Sequence, residues 1–324
     1  MKTAFFGSPI IAANLLEMLL HNKNLEITLV ITQPDKPVGR RLQLTPTDVK
    51  QLALRQNIPV FDHEIREKAL LQELEQKIML EKYELGILYA YGALIPEKII
   101  NLFPRGIWNV HPSLLPLYRG PSPTAYPLLL GDLNTGVTIM KLVKQLDAGP
   151  LIAQEQIPIG VHDTREKLEA VLTRTGARLI GDLLDKIRNQ VVLTTYTQDP
   201  SKSTYTRLLQ KKDGYISSDL IHDAISINDN KRSTIPEIIE EYMTKYDIKK
   251  IFSASEIVWN MYRAFYPWPG IWTQIETSQG IKRLKINSLH LEGKNVKLDE
   301  VQLEGKKPTD FQTFNRAYNF ITAR

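Results

Sequence analysis

Cysteine is absent from this chain of 324 residues. Without a thiol, the protein has no disulfide, no thiolate zinc site and no cysteine nucleophile. Chains of this kind are typical of a reducing compartment, so we expect a cytoplasmic protein. With 43% hydrophobic residues, a chain this long can bury a sizeable core without cross-links, and its length predicts about two domains.

Long apolar runs are also missing. No stretch reaches the roughly 18 apolar residues that a membrane-spanning helix needs. The N-terminal segment MKTAFFGSPIIAANLLEMLL is hydrophobic, but Gly7-Ser8-Pro9 interrupts it and no small-residue cleavage site follows. We therefore expect neither a signal peptide nor a membrane partner.

Motifs of nucleotide and metal chemistry are not found. The GSP turn after the first apolar run lacks the glycines of a dinucleotide fingerprint, and there is no Walker sequence. There is likewise no HExxH and no histidine pair with ligand spacing, so we expect no protein-held metal.

The net charge of +5 is unevenly distributed along the chain. Residues 1–200 carry +1 and residues 201–324 carry +4. A basic C-terminal module favours a polyanionic partner, with RNA as the first candidate. A solvated basic face would explain the same small excess, so charge alone does not decide between them.

Short apolar segments alternate with helical patterns in the first part of the chain. Strands of this kind, apolar on both faces, are typical of a parallel sheet covered by helices, so we expect an α/β fold. These strands are predicted at 2–6, 26–32, 59–61, 84–92, 107–111 and 137–143, and the helices at 10–20, 48–58, 64–83 and 165–189. Residues 151–159 alternate instead, which is typical of a hairpin partner.

The second part of the chain has a different pattern. Residues 197–206, TQDPSKSTYT, form a polar linker, and a helix is predicted at 253–265. Short alternating strands separated by Gly-containing turns follow, which is typical of a small β-barrel. We therefore predict a first domain over 1–196, a linker over 197–206 and a C-terminal domain over 207–324.

Three polar residues stand at predicted strand and loop ends of the sheet. Asn109 and His111 are two apart in an extended segment and so point to one side, while Asp147 follows a later strand. An acid beside a histidine orients the imidazole, and an Asn amide can donate to a developing oxyanion. The trio suits acyl-type transfer to an amine or to water, although three separately satisfied polar residues would show the same spacing.

A basic loop, QPDKPVGRRLQLTP, follows the second predicted strand. Lys36, Arg40 and Arg41 are its cations. They are either part of a solvated loop or a mobile basic finger that contacts phosphates.

A series of motifs along nearly the whole chain resembles methionyl-tRNA formyltransferases, a branch of the folate-dependent formyltransferase family. NVHPSLLPLYRG with LDAG marks the wider family, and TQPDKPVGR and AFYPWPGIWT narrow the resemblance to that branch. Three features depart from it: Ser8 replaces a common Thr, LQL follows Arg41 where relatives often carry lysines, and residues 218–251 resemble an insertion before the helix of the barrel domain. Arg40 and Arg41 therefore remain the main charges of the finger.

The resemblance implies a Rossmann-like formyltransferase domain followed by an OB-like β-barrel that holds tRNA. The implied reaction transfers a formyl group from 10-formyltetrahydrofolate to the methionine α-amine of initiator methionyl-tRNA, for translation initiation, and we expect a monomer. The catalytic residues would be Asn109, His111 and Asp147, and Lys36, Arg40 and Arg41 would contact tRNA. The folate site would include Ser113, Leu114, Leu115 and Pro116, with backbone of Leu88, Tyr89, Ala90, Tyr91 and Gly92.

Three other functions are compatible with parts of the sequence. A formyltransferase acting on a sugar-nucleotide amine shares the catalytic domain but does not need PWPG or a basic finger. A 10-formyltetrahydrofolate hydrolase uses water in place of the amine. An RNA-binding protein with a lapsed folate site would have no reason to keep the Asn109, His111 and Asp147 set.

Overall fold

The computed structural model describes residues 1–39, 42–65, 67–226 and 234–320. The chain divides into two compact units. Unit 1 contains residues 1–123, 135–158 and 169–205, and unit 2 contains residues 124–134, 159–168 and 206–324. The domain boundaries at 196 and 207, with the insertion, stay a prediction, and residues 227–233 of that insertion lie outside the described residues.

Unit 1 is built around a seven-stranded sheet. The first five strands in spatial order pair in parallel, and β8 pairs antiparallel with β7. The order is β5-β2-β1-β6-β7-β8-β9, where β1 is Lys2–Gly7, β2 Glu26–Ile31, β5 Val60–Phe61, β6 Leu85–Tyr89, β7 Ile107–His111, β8 Asn134–Lys141 and β9 Leu151–Pro158.

Six helices occur along the part of the chain that precedes residue 190. Their starts follow local signals; Thr47, for example, caps α2 by accepting a hydrogen bond from the Lys50 backbone N–H at 3.1 Å. The helices are α1 Ile10–Leu20, α2 Asp48–Arg55, α3 Lys68–Glu81, α4 Glu97–Ile100, α5 Ala125–Leu129 and α6 Arg165–Arg188.

The predicted α/β class is confirmed, and local details differ. The segment expected as a loop at 33–46 contains a small hairpin of β3 Lys36–Val38 and β4 Gln43–Thr45. Lys36 and Pro37 of β3 and Gln43 and Leu44 of β4 are exposed, so these residues show no alternation of buried and exposed positions. The helix predicted from residue 64 begins at Lys68, after the extended backbone of Glu67, and Ile65 before it is buried in the core.

Unit 2 contains a four-stranded antiparallel sheet, consistent with the expected OB-like barrel. The helix before it is α9, which starts with a reciprocal cap between Ser253 and Glu256. The strands are β10 Ile271–Thr277, β11 Gly280–Glu292, β12 Asn295–Leu303 and β13 Thr309–Asp310; the helices are α7 Ser218–Ile225, α8 Glu237–Lys245, α9 Ala254–Phe265 and α10 Phe311–Tyr318.

Candidate active site

Strand β7 carries two of the predicted catalytic side chains. Asn109 and His111 are 5% and 4% exposed and lie two residues apart, so they share one face of the strand. Across the sheet, His111 pairs with Thr138 of β8. The expectation that this strand end presents both side chains on one side is confirmed.

Asp147 reaches the same place from the loop after β8. It is 7% exposed and its backbone has φ of 49°, a left-handed conformation that Asp tolerates better than most residues. The loop is closed by the Lys141 N–H, which donates to the Pro150 carbonyl at 2.9 Å. A Cβ at Gly149 would lie 1.8 Å from the Lys141 carbonyl oxygen, so this tight return requires glycine.

The Asp147 carboxylate lies beside both Asn109 and His111. Its Oδ1 is 3.5 Å from Asn109 Nδ2, and its Oδ2 is 3.8 Å from His111 Nδ1. The first distance is that of a weak hydrogen bond, and the second is an electrostatic contact. The firm anchor is Gly120, whose N–H donates to Oδ2 at 2.7 Å. The structure therefore brings the trio together around one fixed carboxylate.

The hydrogen bonding of His111 defines which ring nitrogen can exchange a proton. Nε2 lies 3.0 Å from the Tyr118 carbonyl oxygen. A carbonyl oxygen can only accept, so we assign the proton to Nε2. Nδ1 is then the nitrogen that faces Asp147 and changes its protonation state.

The SLLP turn packs against the same strands. Ser113 Oγ donates to the Leu117 carbonyl at 2.7 Å, which closes the turn on itself. Thr138 Oγ1 donates to the Ser113 carbonyl at 2.7 Å and accepts from the Leu115 N–H at 3.2 Å. Gln154 Nε2 donates to the Leu115 carbonyl at 2.9 Å. The turn is therefore held by the residue that pairs with His111.

The segment 88–92 at the end of β6 presents backbone rather than aromatic rings. The Tyr89 hydroxyl forms a hydrogen bond of 3.1 Å with Thr173 Oγ1, and the Tyr91 ring packs edge-on against Phe6. Ala90 and Gly92 have φ of 48° and 82°, and no atom lies within 4 Å of a Cβ built on Gly92. There is therefore open space beside the backbone at Gly92, and the two tyrosine rings do not fill it.

The basic hairpin is a separate feature. Lys36 is exposed, whereas Arg40 and Arg41 lie outside the described residues. The hairpin's base is anchored by Lys50, whose Nζ is 2.7 Å from Asp35 and 2.6 Å from Asp62. The hydrogen bond to Asp35, followed by that to Asp62, raises the pKa of Lys50, so this anchor is charged at neutral pH. Among the described contacts, none joins Lys36 to the trio.

Residues 1–183, which include the whole trio, match the family model described as Formyl transferase. The chain belongs to the formyl transferase family. The methionyl-tRNA formyltransferase of Methylobacillus flagellatus is 39% identical over 216 residues, which cover 67% of this chain and 69% of the relative. That of Caldicellulosiruptor saccharolyticus is 33% identical and covers 98% of this chain and 97% of its own length.

Solved formyltransferase structures share the fold. An N-formyltransferase from Helicobacter canadensis, solved with folinic acid and dTDP-3-aminofucose, has a TM-score of 0.56 at 20% identity, covering 90% of this chain and 89% of its own. Phosphoribosylglycinamide formyltransferase from Bacillus halodurans has a TM-score of 0.50 at 24% identity, covering 58% of this chain and 95% of its own. At these identities, the similarity establishes the formyltransferase fold alone.

Sequence reasoning missed two polar residues that surround the trio of this formyltransferase. Arg119 belongs to the quoted NVHPSLLPLYRG motif but had no role, and Gln198 fell in the segment interpreted as a linker. Both are buried, at 4% and 5% exposure. The Arg-Gly pair was an available signal for Arg119, whereas nothing in the polar TQDPSKSTYT stretch indicates that Gln198 is buried.

Proposed function

We propose that this formyltransferase transfers the formyl group of 10-formyltetrahydrofolate to the α-amine of methionine on initiator tRNA. The observation that carries the chemistry is the Asp147 carboxylate held between Asn109 and His111. The acceptor is supported by relatives named methionyl-tRNA formyltransferase, one of which matches this chain over 98% of its length. That match extends through both the trio and the antiparallel sheet of unit 2.

In the proposed reaction, the amine nitrogen attacks the formyl carbon and a carbon–nitrogen bond forms. The Asn109 amide donates to the formyl oxygen as it becomes an oxyanion. The bond from the formyl carbon to the folate nitrogen then breaks, and the proton lost by the amine passes to that nitrogen. His111 Nδ1, oriented by its Nε2–H bond to Tyr118, assists this proton transfer, and Asp147 stabilises its charged form.

The folate co-substrate would bind between two features of unit 1. The backbone of 88–92 would contact the pterin ring, because its side chains at Tyr89 and Tyr91 are turned into the core. The turn at 113–116 would line the other side. The hydrogen bonds that Thr138 and Gln154 donate to the Ser113 and Leu115 carbonyls give that turn a defined shape before substrate arrives.

The tRNA would be bound by residues outside the trio. Lys36, Arg40 and Arg41 would contact phosphates, and the predicted domain at 207–324 would hold the tRNA body. We further propose that the enzyme is a monomer of the cytoplasm. Within the described ranges, no helix has both the length and the apolar character needed to cross a membrane.

A sugar-nucleotide amine is the competing acceptor. The Helicobacter canadensis structure covers 90% of this chain, but its 20% identity supports a common fold and no common acceptor. The relatives at 33% and 39% identity favour tRNA. Hydrolysis of 10-formyltetrahydrofolate is the second alternative, because water could take the place of the amine.

An acceptor comparison tests the proposal. The protein would be incubated with 10-formyltetrahydrofolate and either charged initiator tRNA, charged elongator tRNA, an amino-sugar nucleotide or no acceptor. Transfer to charged initiator tRNA alone supports the proposed function. Transfer to the sugar, or formate release without an acceptor, would contradict the acceptor while leaving the role of the trio intact.

A further inference from the structure

The segment 196–205 is built into unit 1 at two points. Tyr196 pairs with Leu151 of β9 by two backbone hydrogen bonds of 2.8 and 2.9 Å. Thr204 is bound to the end of the SLLPLYRG turn: its carbonyl accepts from the Arg119 N–H at 2.8 Å, and its Oγ1 accepts from the Tyr118 N–H at 2.8 Å. A flexible spacer would make no such bonds, so this segment is a structural part of the unit.

Gln198 lies between these two points and connects two parts of the site. Its Nε2 donates to the carbonyl oxygens of Asp147 and Gly149, both at 2.8 Å. Its Oε1 accepts from Arg119 Nη2 at 2.7 Å and Nε at 3.2 Å. The orientation of the amide is unambiguous, because carbonyls only accept and a guanidinium only donates.

Arg119 is itself fixed by the same segment. Its Nη1 donates to the Tyr205 hydroxyl at 2.8 Å, and its guanidinium carbon lies 5.5 Å from the centre of the Tyr205 ring. Gly120, the next residue, donates its N–H to the Asp147 carboxylate. The Arg119 side chain and the Gly120 backbone thus approach the Asp147 loop from the same turn.

We propose that Gln198 is a positioning residue for formyl transfer, an inference that rests on the proposed function. Its amide holds the carbonyls on either side of Ala148, while Arg119 holds the amide. This fixes the left-handed backbone at Asp147 that turns the carboxylate toward Asn109 and His111. A displacement of about 1 Å can lower a reaction rate roughly a hundredfold, so the hold matters to catalysis more than to binding.

The proposal places the end of the catalytic unit beyond the family match. That match ends at residue 183, and the residue that holds the catalytic loop is 198. The segment predicted as a linker therefore contributes both side-chain and backbone hydrogen bonds to the unit that carries the proposed catalytic residues.

The first test replaces Gln198 with methionine, which keeps the volume and removes both donors and the acceptor. We expect kcat to fall about 10- to 100-fold while KM for 10-formyltetrahydrofolate stays within about threefold. The matched control is Gln51→Met in α2, which removes a hydrogen bond of 3.1 Å from the side-chain amide to the Pro46 carbonyl. Its kcat should stay within about twofold of the parent. Equal losses in kcat for the two variants, or a Gln198→Met change confined to KM, would overturn the proposal.

A second variant separates positioning from folding. Gln198→Glu keeps an oxygen for Arg119 but sets a carboxylate oxygen against the Asp147 and Gly149 carbonyls. The repulsion between these oxygens should lower the melting temperature by a different amount from the methionine change. We still expect kcat, assayed well below both melting temperatures, to fall as in the methionine variant. A fall in kcat that tracks the melting temperature across the two variants would mean that Gln198 is merely structural.

A double-mutant cycle tests whether Gln198 acts through Asp147. In an Asp147→Asn background, Gln198→Met should lower kcat by less than about twofold, because residues that act as a unit are not additive. A full additional 10-fold loss would show independent action.

Hydrogen exchange of residues 142–150 gives a readout without any acceptor: it should be faster in Gln198→Met than in the parent. Unchanged exchange would refute the positioning role, whereas an inactive parent would refute only the proposed function.

Discussion

The Nε2–H of His111 donates to the Tyr118 carbonyl oxygen at 3.0 Å, and Nδ1 of the same ring lies 3.8 Å from the Asp147 carboxylate. One nitrogen is therefore committed to the backbone of the SLLPLYRG turn, and the other is the only ring position at which a proton can be exchanged. The turn thus serves two purposes, because it lines the proposed folate site and sets the tautomer of the proposed catalytic histidine.

Replacing Asn109 with alanine tests the proposed oxyanion donor. We expect turnover to fall about 100- to 1,000-fold, the usual effect of removing one such donor, because the amide contributes chiefly after the formyl oxygen has become charged. The dissociation constant for 10-formyltetrahydrofolate should change by no more than a few fold. Steady-state kinetics with a separate folate-binding titration would measure both, and turnover within a few fold of the parent would refute the role.

Replacing Gly149 with alanine tests the tight return that carries Asp147. The added methyl would lie 1.8 Å from the Lys141 carbonyl oxygen, so either the loop or the end of β8 must move. We expect a loss of about 2 kcal/mol in unfolding free energy or more, with a large drop in turnover. Gly181→Ala, inside α6, is the matched control. The Cβ of that alanine would meet only the Asn22 side-chain nitrogen, at 3.3 Å. Denaturant unfolding of both variants would measure the difference, and equal stability would contradict the steric argument.

The burial of Tyr91 predicts that the stability of the folded state falls at alkaline pH. Burial raises the pKa of Tyr91 to about 12 from 10.0, and its hydroxyl has no hydrogen-bond partner among the described residues. The unfolded state therefore ionises first, and the stability associated with this hydroxyl is present below pH 10 and is lost as the pH rises from 10 to about 12. Tyr91→Phe removes this loss, and at neutral pH it should be neutral or slightly stabilising.

The measurement is denaturant unfolding of Tyr91→Phe and the parent at pH 8 and pH 11. The stability advantage of the variant should grow by about 1 kcal/mol between the two values. Tyr196→Phe, at a side chain that is 64% exposed, is the control and should show no such growth. An advantage for Tyr91→Phe that does not change with pH would contradict the burial argument.

Arg207 holds a buried carboxylate in unit 2. Its guanidinium donates a hydrogen bond to each carboxylate oxygen of Asp213, at 2.8 and 2.9 Å. These hydrogen bonds are the main cause of the raised pKa of Arg207. The Asp213 side chain is 2% exposed. Arg207→Met should lower the unfolding free energy by about 3 kcal/mol, because breaking one partner leaves a buried charge without its counter-ion. Lys212→Met removes only an exposed pair with Glu237 and should cost less than about 1 kcal/mol. Similar losses in the two variants would contradict this account.

The sequence predicted most of the sheet, and the proximity of Asn109, His111 and Asp147, for a physical reason. Strand β7 was predicted over its observed bounds, because a run of buried residues ends at polar ones where a strand meets the edge of a sheet. The spacing of Asn109 and His111 then determines that they share a face. Asp147 was found from the resemblance and from its place in a loop after a strand, and the structure shows that it reaches the other two.

The remaining features depend on contacts that sequence patterns do not encode. Gln198 is polar and lies among Ser, Thr and Pro. Its side chain can be buried because two carbonyls and one guanidinium form hydrogen bonds with its amide. The β3–β4 hairpin has two exposed residues on each strand, Lys36 and Pro37 on one and Gln43 and Leu44 on the other, and has no apolar periodicity. The antiparallel direction of β8 is a property of chain connectivity, and residue pattern alone does not distinguish it from a parallel strand.

The central claim is tested most directly by following the formyl carbon. The protein would be given 10-formyltetrahydrofolate with an isotopic label in the formyl group and an equal amount of charged initiator tRNA, and the amino acid would be released and analysed by mass spectrometry. The account predicts one labelled formyl group on the methionine nitrogen, at a rate that Asn109→Ala lowers at least about a hundredfold. Label recovered as free formate, or labelled methionine formed equally well by Asn109→Ala, would contradict it.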